Sequence, residues 1–333
     1  MKRILTGDRP TGYLHLGHYV GTLENRIKMQ DEYEMFVLNA DVQALTDNFD
    51  NPEKVRQNVI NAAIGNLAVG VDPEKVTYFI QSMIPQIAEL TVFFANLVTV
   101  ARLERNPTVK SEIAEKGFDK TLPLGFFMYP VSQAADILIV KGEIVPVGED
   151  QVPHVEQTRE IARKFNSVYG EVFPEPEAVV GKIARLVGTD GNAKMSKSIG
   201  NTIYLRDDEE TIKKQVMSMY TDPNRVHPTD PGNVEGNPVF IYHDAFNPNT
   251  DEVNDLKERY QKGTVGDVEV KEKLVQAINT FLEPIRERHR YYEEHAEEVY
   301  EMIEAGNKKA LDVAKDTMNR VREAMKIDYP FGL

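Results

Sequence analysis

Over the first two hundred residues, short apolar runs rich in β-branched side chains alternate with segments of helical length and spacing. The runs at 3–6, 35–40, 76–81, 137–140 and 144–147 are nearly continuous in apolar character, as strands buried on both faces of a parallel sheet must be. Between the second and third run, residues 52–70 read as a helix. Asp50 or Asn51 would cap it, Pro52 takes its first position, Val55, Val59, Ala62, Ala63 and Leu67 share one face, and Gly70 ends it. This alternation predicts an α/β fold with a doubly wound parallel sheet. A charged stretch carrying Pro107 and Pro123 interrupts the pattern and reads as an insertion at about 103–130 between two halves of the sheet.

After residue 205 the character changes to long charged helical segments. One runs over 267–306 with Pro284 near its middle, and a last helix over 308–326 repeats Leu311, Ala314, Met318, Val321 and Met325 at spacings of three and four. A chain of 333 residues has room for more than one domain. The expected division is a catalytic α/β domain at 1–205, a helical domain at 206–307, and a C-terminal helix at 308–333 that can pack back on the first. No apolar run approaches the ~18 residues of a membrane span. The start, Met1-Lys2-Arg3-Ile4, lacks the apolar region of a signal peptide, so cytoplasmic residence is the expectation. There is no cysteine, hence no disulfide framework and no thiolate metal site. The net charge of −14 argues against a protein coated in nucleic acid but is compatible with a local basic groove.

Chemistry concentrates in two stretches. Residues 7–21, GDRPTGYLHLGHYVG, put four glycines, Pro10, His15 and His18 directly behind the first strand. Strand, glycine-rich turn and helix start is the arrangement that offers backbone N–H groups and the positive helix end to a phosphate. The spacing matches neither the dinucleotide fingerprint nor a P-loop. Gly17, between the histidines, removes a side chain where a flat base could lie. The second stretch is DGNAKMSKS at 190–198, where a turn precedes Lys194 and Lys197 with hydroxyls at Ser196 and Ser198. Such a cationic loop suits a polyphosphate. Each has a plainer interpretation. The histidines could be a metal pair, but no third ligand stands at suitable spacing, and no metal site is expected. The lysines could be solvated loop charge. Asp136, just ahead of Ile137-Leu138-Ile139-Val140, is costly in apolar surroundings unless something donates to it; a helix cap and an internal salt bridge are the structural alternatives to a binding role.

HLGH early in the α/β region and KMSKS near its end together resemble the two signatures of class I aminoacyl-tRNA synthetases. The resemblance covers nearly the whole chain. Residues 132–166, SQAADILIVKGEIVPVGEDQVPHVEQTREIARKFN, are similar to the amino-acid- and ATP-binding core of tryptophanyl-tRNA synthetases, as are GNLAVGVDPEKVTYFIQS and MSMYTDP. Tyrosyl-tRNA synthetases share the fold and both signatures, but AAD followed by VPVGEDQ is more tryptophanyl in character. A paralogue turned to a regulatory or partner-binding role is the alternative from another class, and the complete motifs argue against it.

The resemblance implies a Rossmann-like catalytic domain, a helical anticodon-binding domain and a homodimer. It implies activation of L-tryptophan with ATP, accompanied by Mg2+, and transfer to tRNA(Trp). By the family pattern Asp136 accepts the indole N–H, with Gly7, Tyr129, Gln133, Val145, Val147 and Gln151 around the amino acid. Arg9, Pro10, Thr11, Gly17, His18, Gly148, Glu149, Asp150 and Leu186 correspond to ATP positions, as do Lys194, Met195, Ser196, Lys197 and Ser198. Lys110 falls where the family keeps a mobile lysine, and His15, His18, Lys194 and Lys197 take the catalytic roles. Arg9 stands where Gln is usual, His18 where Asn is frequent, Gln43 where His is expected and Gln133 where Met often floors the pocket, a combination that matches a divergent bacterial branch.

Overall fold

A computed structural model describes the chain apart from residues 119–120, 181–185, 192–194, 196–198, 223–224, 226, 228 and 331–333. Five strands, β1 (Arg3–Asp8), β2 (Glu34–Asn39), β3 (Val76–Ile80), β4 (Ile144–Val147) and β5 (Glu177–Val180), form one parallel sheet in the order β3-β2-β1-β4-β5. This is the expected doubly wound arrangement. The strands read as apolar runs because both faces are covered. Ile4, Met35 and Val37 turn to one side, and Leu5, Phe36, Leu38 and Phe79 to the other.

On the first side lie α1 (Leu16–His18), a π-helical turn (Tyr19–Leu23) and α2 (Glu24–Met29), which form one helical run, with α3 (Asp41–Ala44) and α4 (Pro52–Val69) after β2. The helix α4 starts as its sequence requires. The Asn51 side chain accepts the Lys54 N–H, Pro52 needs no donor, and Gly70 at φ 110° closes the end. Between β3 and β4 come α5 (Gln86–Ala95), α6 (Val100–Glu104), α7 (Pro107–Lys116) and α8 (Leu124–Ile139), and α9 (Val152–Tyr169) joins β4 to β5. The rest is helical among the described residues: α10 (Glu209–Met217), α11 (Pro238–Phe246), α12 (Thr250–Gln261), α13 (Asp267–Glu294) and α14 (Ala296–Met325).

Two expectations are corrected and one strand is added. The run at 137–140 is no strand; it is the last turn of α8, whose residues from Ala134 to Ile139 are each at most 2% exposed. A helix buried all round carries no period, so over four residues it cannot be told from a buried strand. The edge strand β5 escapes sequence inspection because it is short, with Glu177 and Val180 exposed. The second correction concerns Gly306, which does not end a helix. The break comes at His295, and α14 runs straight through Gly306 because the helix lies against β3 there: a Cβ on Gly306 would stand 1.8 Å from the Tyr78 carbonyl oxygen. The glycine serves close approach rather than termination.

Candidate active site

Connections leave β1 and β4 toward opposite edges of the sheet, so a crevice opens between their carboxyl ends, where doubly wound folds bind ligands. A cavity of about 460 Å³ occupies it. Its wall carries Gly7, Arg9 and Thr11 from the end of β1, His15, Gly17 and His18 from the head of the helical run, and Tyr129, Gln133 and Asp136 from α8. Val145, Val147, Gly148, Asp150 and Gln151 follow from β4 and its turn, with Leu186 and Met195 from the far side. Residues as far apart in sequence as Gly7 and Met195 thus converge on one cavity. Pro10 is buried behind it, and Glu149 and Lys110 are exposed and do not line it. Lys194, Ser196, Lys197 and Ser198 lie outside the described residues. The wall also includes Asp8, Gln43 and Glu112.

The end of β1 is fixed from beneath. Gly7 leaves no room for a side chain, since a Cβ would come within 2.5 Å of the Leu38 carbonyl oxygen on β2. The next residue, Asp8, pairs with Arg26 of α2 at 2.8 Å, and Arg26 is 0% exposed. Arg26 donates to Thr6 Oγ1 at 3.0 Å and to the Asn66 side-chain oxygen, while Asn66 Nδ2 donates to Asp8 at 2.9 Å. Every member has a partner, as a buried ion pair requires; removing one alone typically costs about 3–5 kcal/mol. Arg26 reads as surface, whereas Asn66 falls on the apolar face of α4, four positions after Ala62 and three after Ala63; in neither case does the sequence name the partner. Arg9 forms an ion pair with Asp47, which holds its guanidinium at the cavity's rim.

At the head of the helical run, the His15 N–H donates to His18 Nδ1 at 3.1 Å, and the two rings lie 3.8 Å apart. Gly17 fits between His15 and Met195. Its N–H donates to Met195 Sδ at 3.4 Å, and a Cβ there would stand 3.0 Å from the His15 ring. The segment that follows the second signature is tied to the first by backbone. Leu16 N–H donates to the Ile203 carbonyl at 3.0 Å and Leu205 N–H to the Leu14 carbonyl at 3.1 Å. Asn201 holds the loop's base, donating from Nδ2 to Asp190 at 3.0 Å.

Asp136 is 2% exposed and its carboxylate accepts from Gln81 Nε2 at 2.8 and 3.0 Å. Burial pushes its pKa up to about 7; the Gln81 hydrogen bond opposes this, and the charge of Asp41 adds to it. Among the described residues neither a helix cap nor a salt bridge accounts for it. Sequence inspection missed Gln81, which sits at the end of β3, where a polar residue after an apolar run reads as the strand's exit to solvent.

A second wired group stands on the other wall. Asn106 caps α7 with its Oδ1, which accepts from Thr108 N–H at 3.0 Å, so its Nδ2 faces His154 Nδ1 at 3.3 Å and Gln157 Oε1 at 3.0 Å. With Nδ1 accepting, the neutral His154 ring carries its proton on Nε2 and donates it to the Tyr129 hydroxyl, 2.9 Å away. Burial pushes His154 down to about 4, so the ring stays neutral at ordinary pH. The Tyr129 proton is thereby turned elsewhere, and the Glu112 carboxylate takes part in a hydrogen bond with it. Burial first, then Glu112, hold the Tyr129 hydroxyl above its ordinary range.

The sequence profile described as tRNA synthetases class I (W and Y) matches residues 1–283. The chain belongs to this family. It is similar to the tryptophan–tRNA ligase of Clostridium longisporum, with 55% identity over 331 residues, 98% of this chain and 97% of that one. Its identity to the tryptophan–tRNA ligase of Lactococcus lactis is 54%, over 98% of each chain. Among solved structures it resembles the Campylobacter jejuni tryptophanyl-tRNA synthetase complexed with ADP and tryptophan, at 35% identity and a TM-score of 0.85, covering 97% of this chain and 99% of that one. The contact of Gly17 with Met195 joins the HLGH stretch to the one described residue of the KMSKS stretch.

Proposed function

We propose that the chain is a tryptophan–tRNA ligase. The observation that carries this reading is Asp136: a carboxylate at the inner wall of the crevice, held by one amide and otherwise without an ion pair among the described contacts, suits a single ring N–H donor and has no evident structural use. In the first step the tryptophan carboxylate would attack the α-phosphorus of ATP, giving tryptophanyl-adenylate and pyrophosphate. The terminal ribose hydroxyl of tRNA(Trp) would then take the acyl group.

The first step asks little covalent work of the protein; positioning and charge stabilisation dominate. Tyr129 and Gln151 hold the amino acid's polar end, Asp136 its indole, and Val145 and Val147 the ring faces. His15 and His18 stabilise charge near the α-phosphate. Lys194 and Lys197, with Ser196 and Ser198, serve the departing pyrophosphate, Arg9, Thr11, Gly148, Asp150 and Leu186 complete the nucleotide's surroundings from the cavity wall, and Pro10, Glu149 and Lys110, which do not line the cavity, are assigned to the nucleotide by the family resemblance. Magnesium enters with the nucleotide, on its phosphate oxygens. We assign anticodon recognition to 206–307, binding of tRNA to a homodimer, and the reaction to the cytoplasm.

Amino-acid-dependent pyrophosphate exchange with tryptophan and tyrosine side by side, followed by charging of tRNA(Trp), tests the assignment. Exchange with tryptophan and charging of that tRNA are expected. Exchange with tyrosine would give the tyrosyl alternative, and no exchange with either would give the paralogue. Replacing Lys194 or Lys197 with alanine should slow exchange while tryptophan binding by calorimetry holds, because the partner charge develops on the leaving group.

A further inference from the structure

Gln81 opens a short 3-10 turn, Gln81–Met83, at the point where β3 ends, and it is 2% exposed. Its Oε1 accepts the backbone N–H of Gln43 at 3.0 Å. That bond decides which way the amide faces. A flipped amide would set NH₂ against N–H, so Nε2 must point to the other side, where it meets both Asp136 oxygens at 2.8 and 3.0 Å. The backbone of α3 therefore dictates the orientation of Gln81, and Gln81 that of Asp136. The α3 backbone is itself pinned, since Asp41 accepts the N–H of Val42 at 3.0 Å and that of Ser82 at 2.9 Å.

We propose that Gln81 is a positioning residue for amino-acid selection: its amide, locked by the Gln43 backbone, holds the Asp136 carboxylate as an acceptor aimed into the cavity at the indole N–H. This rests on the tryptophan–tRNA ligase reading. A carboxyl group in an apolar site has two ways to fail as an acceptor. It can rotate, or it can take up a proton and present a donor to a donor. The Gln81 amide opposes both, and among the influences on the Asp136 carboxyl it is the one that favours the ionised form, against burial and against the charge of Asp41. A glutamine that merely filled space would do neither.

The test compares the unsubstituted enzyme with Gln81→Met, which keeps length and loses the donor. Pyrophosphate exchange is measured with tryptophan and with benzothienylalanine, in which sulfur replaces the ring N–H. Losing one hydrogen bond to a charged group should raise KM for tryptophan about tenfold, with kcat kept within about threefold. The sulfur analogue should change by less than about twofold, because it never used the acceptor. Gln81→Glu preserves volume should the methionine variant fold poorly. Two carboxyls would then share one proton, so KM for tryptophan should stay near the unsubstituted value at about pH 6 and rise toward about pH 9. Asp41 beside the pair, and His15, His18, Glu112 and Asp150 around the cavity, are common to both enzymes, so the difference between their pH profiles belongs to position 81. Equal losses for tryptophan and the analogue in the methionine variant, an unchanged KM for tryptophan, or a pH profile for the glutamate variant identical to the unsubstituted one would overturn the proposal. A native enzyme that activates tyrosine in place of tryptophan would instead overturn the functional reading, so the two failures are separable.

Discussion

The backbone N–H of Gly17 points at the sulfur of Met195, 3.4 Å away, across 178 residues of sequence. One bond thus joins the turn behind β1 to the loop that carries the lysines. Met195 is 2% exposed, a buried residue that stands in sequence between Lys194 and Ser196. The His15 ring is what favours glycine here, since a Cβ would stand 3.0 Å from it, whereas the sulfur at 3.5 Å would be in ordinary contact.

Gly17→Ala should therefore damage the first chemical step. The added methyl would stand 3.0 Å from the His15 ring and displace it by a few tenths of an ångström, while Met195 Sδ at 3.5 Å can stay in place. Exchange is expected to slow at least about tenfold in kcat, since a small displacement of a charge-stabilising group suffices for that. Tryptophan binding, measured by calorimetry, should hold within about twofold, because the residues proposed to hold the amino acid, Asp136, Tyr129 and Gln151, stand on α8 and after β4. Equal loss of binding and turnover would place Gly17 in the amino-acid pocket instead.

Gly306→Ala sets two opposing effects against each other. Alanine in a helix interior gains about 1 kcal/mol over glycine. Here its methyl meets the Tyr78 backbone at 1.8 Å, and α14 would have to lift off β3. Overpacking of that kind costs about 1–3 kcal/mol or more, so the net effect should be destabilising. Urea unfolding measures it, and a more stable variant would contradict the packing described.

Asp136 makes the enzyme pH-dependent in two opposite senses. Its folded-state value, pushed up to about 7, exceeds its ordinary 3.8, so the folded protein binds that proton more tightly than the unfolded chain. Its contribution to stability is full below the ordinary value and is lost as pH rises through the folded one. The unfolding free energy relative to the isosteric Asp136→Asn variant should fall with rising pH across this window, by up to about 1.4 kcal/mol per pH unit. Tryptophan affinity should move the other way and improve as the carboxylate ionises toward about pH 7. Urea titrations and calorimetry over this range check both; a pH-independent difference from the asparagine variant would mean that Asp136 is not a buried acid.

Much of this was legible in the sequence. The strands β1 to β4 show because residues covered on both faces must be apolar throughout, and α4 because Asn51, Pro52 and Gly70 each have one backbone task. The last turn of α8 was misread since full burial erases the period that separates helix from strand. Most of the candidate wall was reached through motif resemblance, which names residues such as His15, Gly17 and Asp136 without saying what holds them. The holders, Gln81, Arg26, Asn66 and His154, are polar residues buried by tertiary contacts; Asn66 and His154 fall on the apolar faces of their helices, but the local pattern does not say what each one holds. Their partners stand 18 to 58 positions away, so only the folded chain pairs them.

Specific activation of tryptophan through Asp136 is tested most directly by exchange kinetics of Asp136→Ala with tryptophan and with benzothienylalanine. A charge-assisted hydrogen bond in a closed site contributes about 1.5–3 kcal/mol, so kcat/KM for tryptophan should fall by roughly one to two powers of ten. The analogue, lacking the ring N–H, should already be poor with the native enzyme and lose little more. Equal losses for the two substrates on removing the carboxylate would mean that Asp136 supports the fold and does not read the indole.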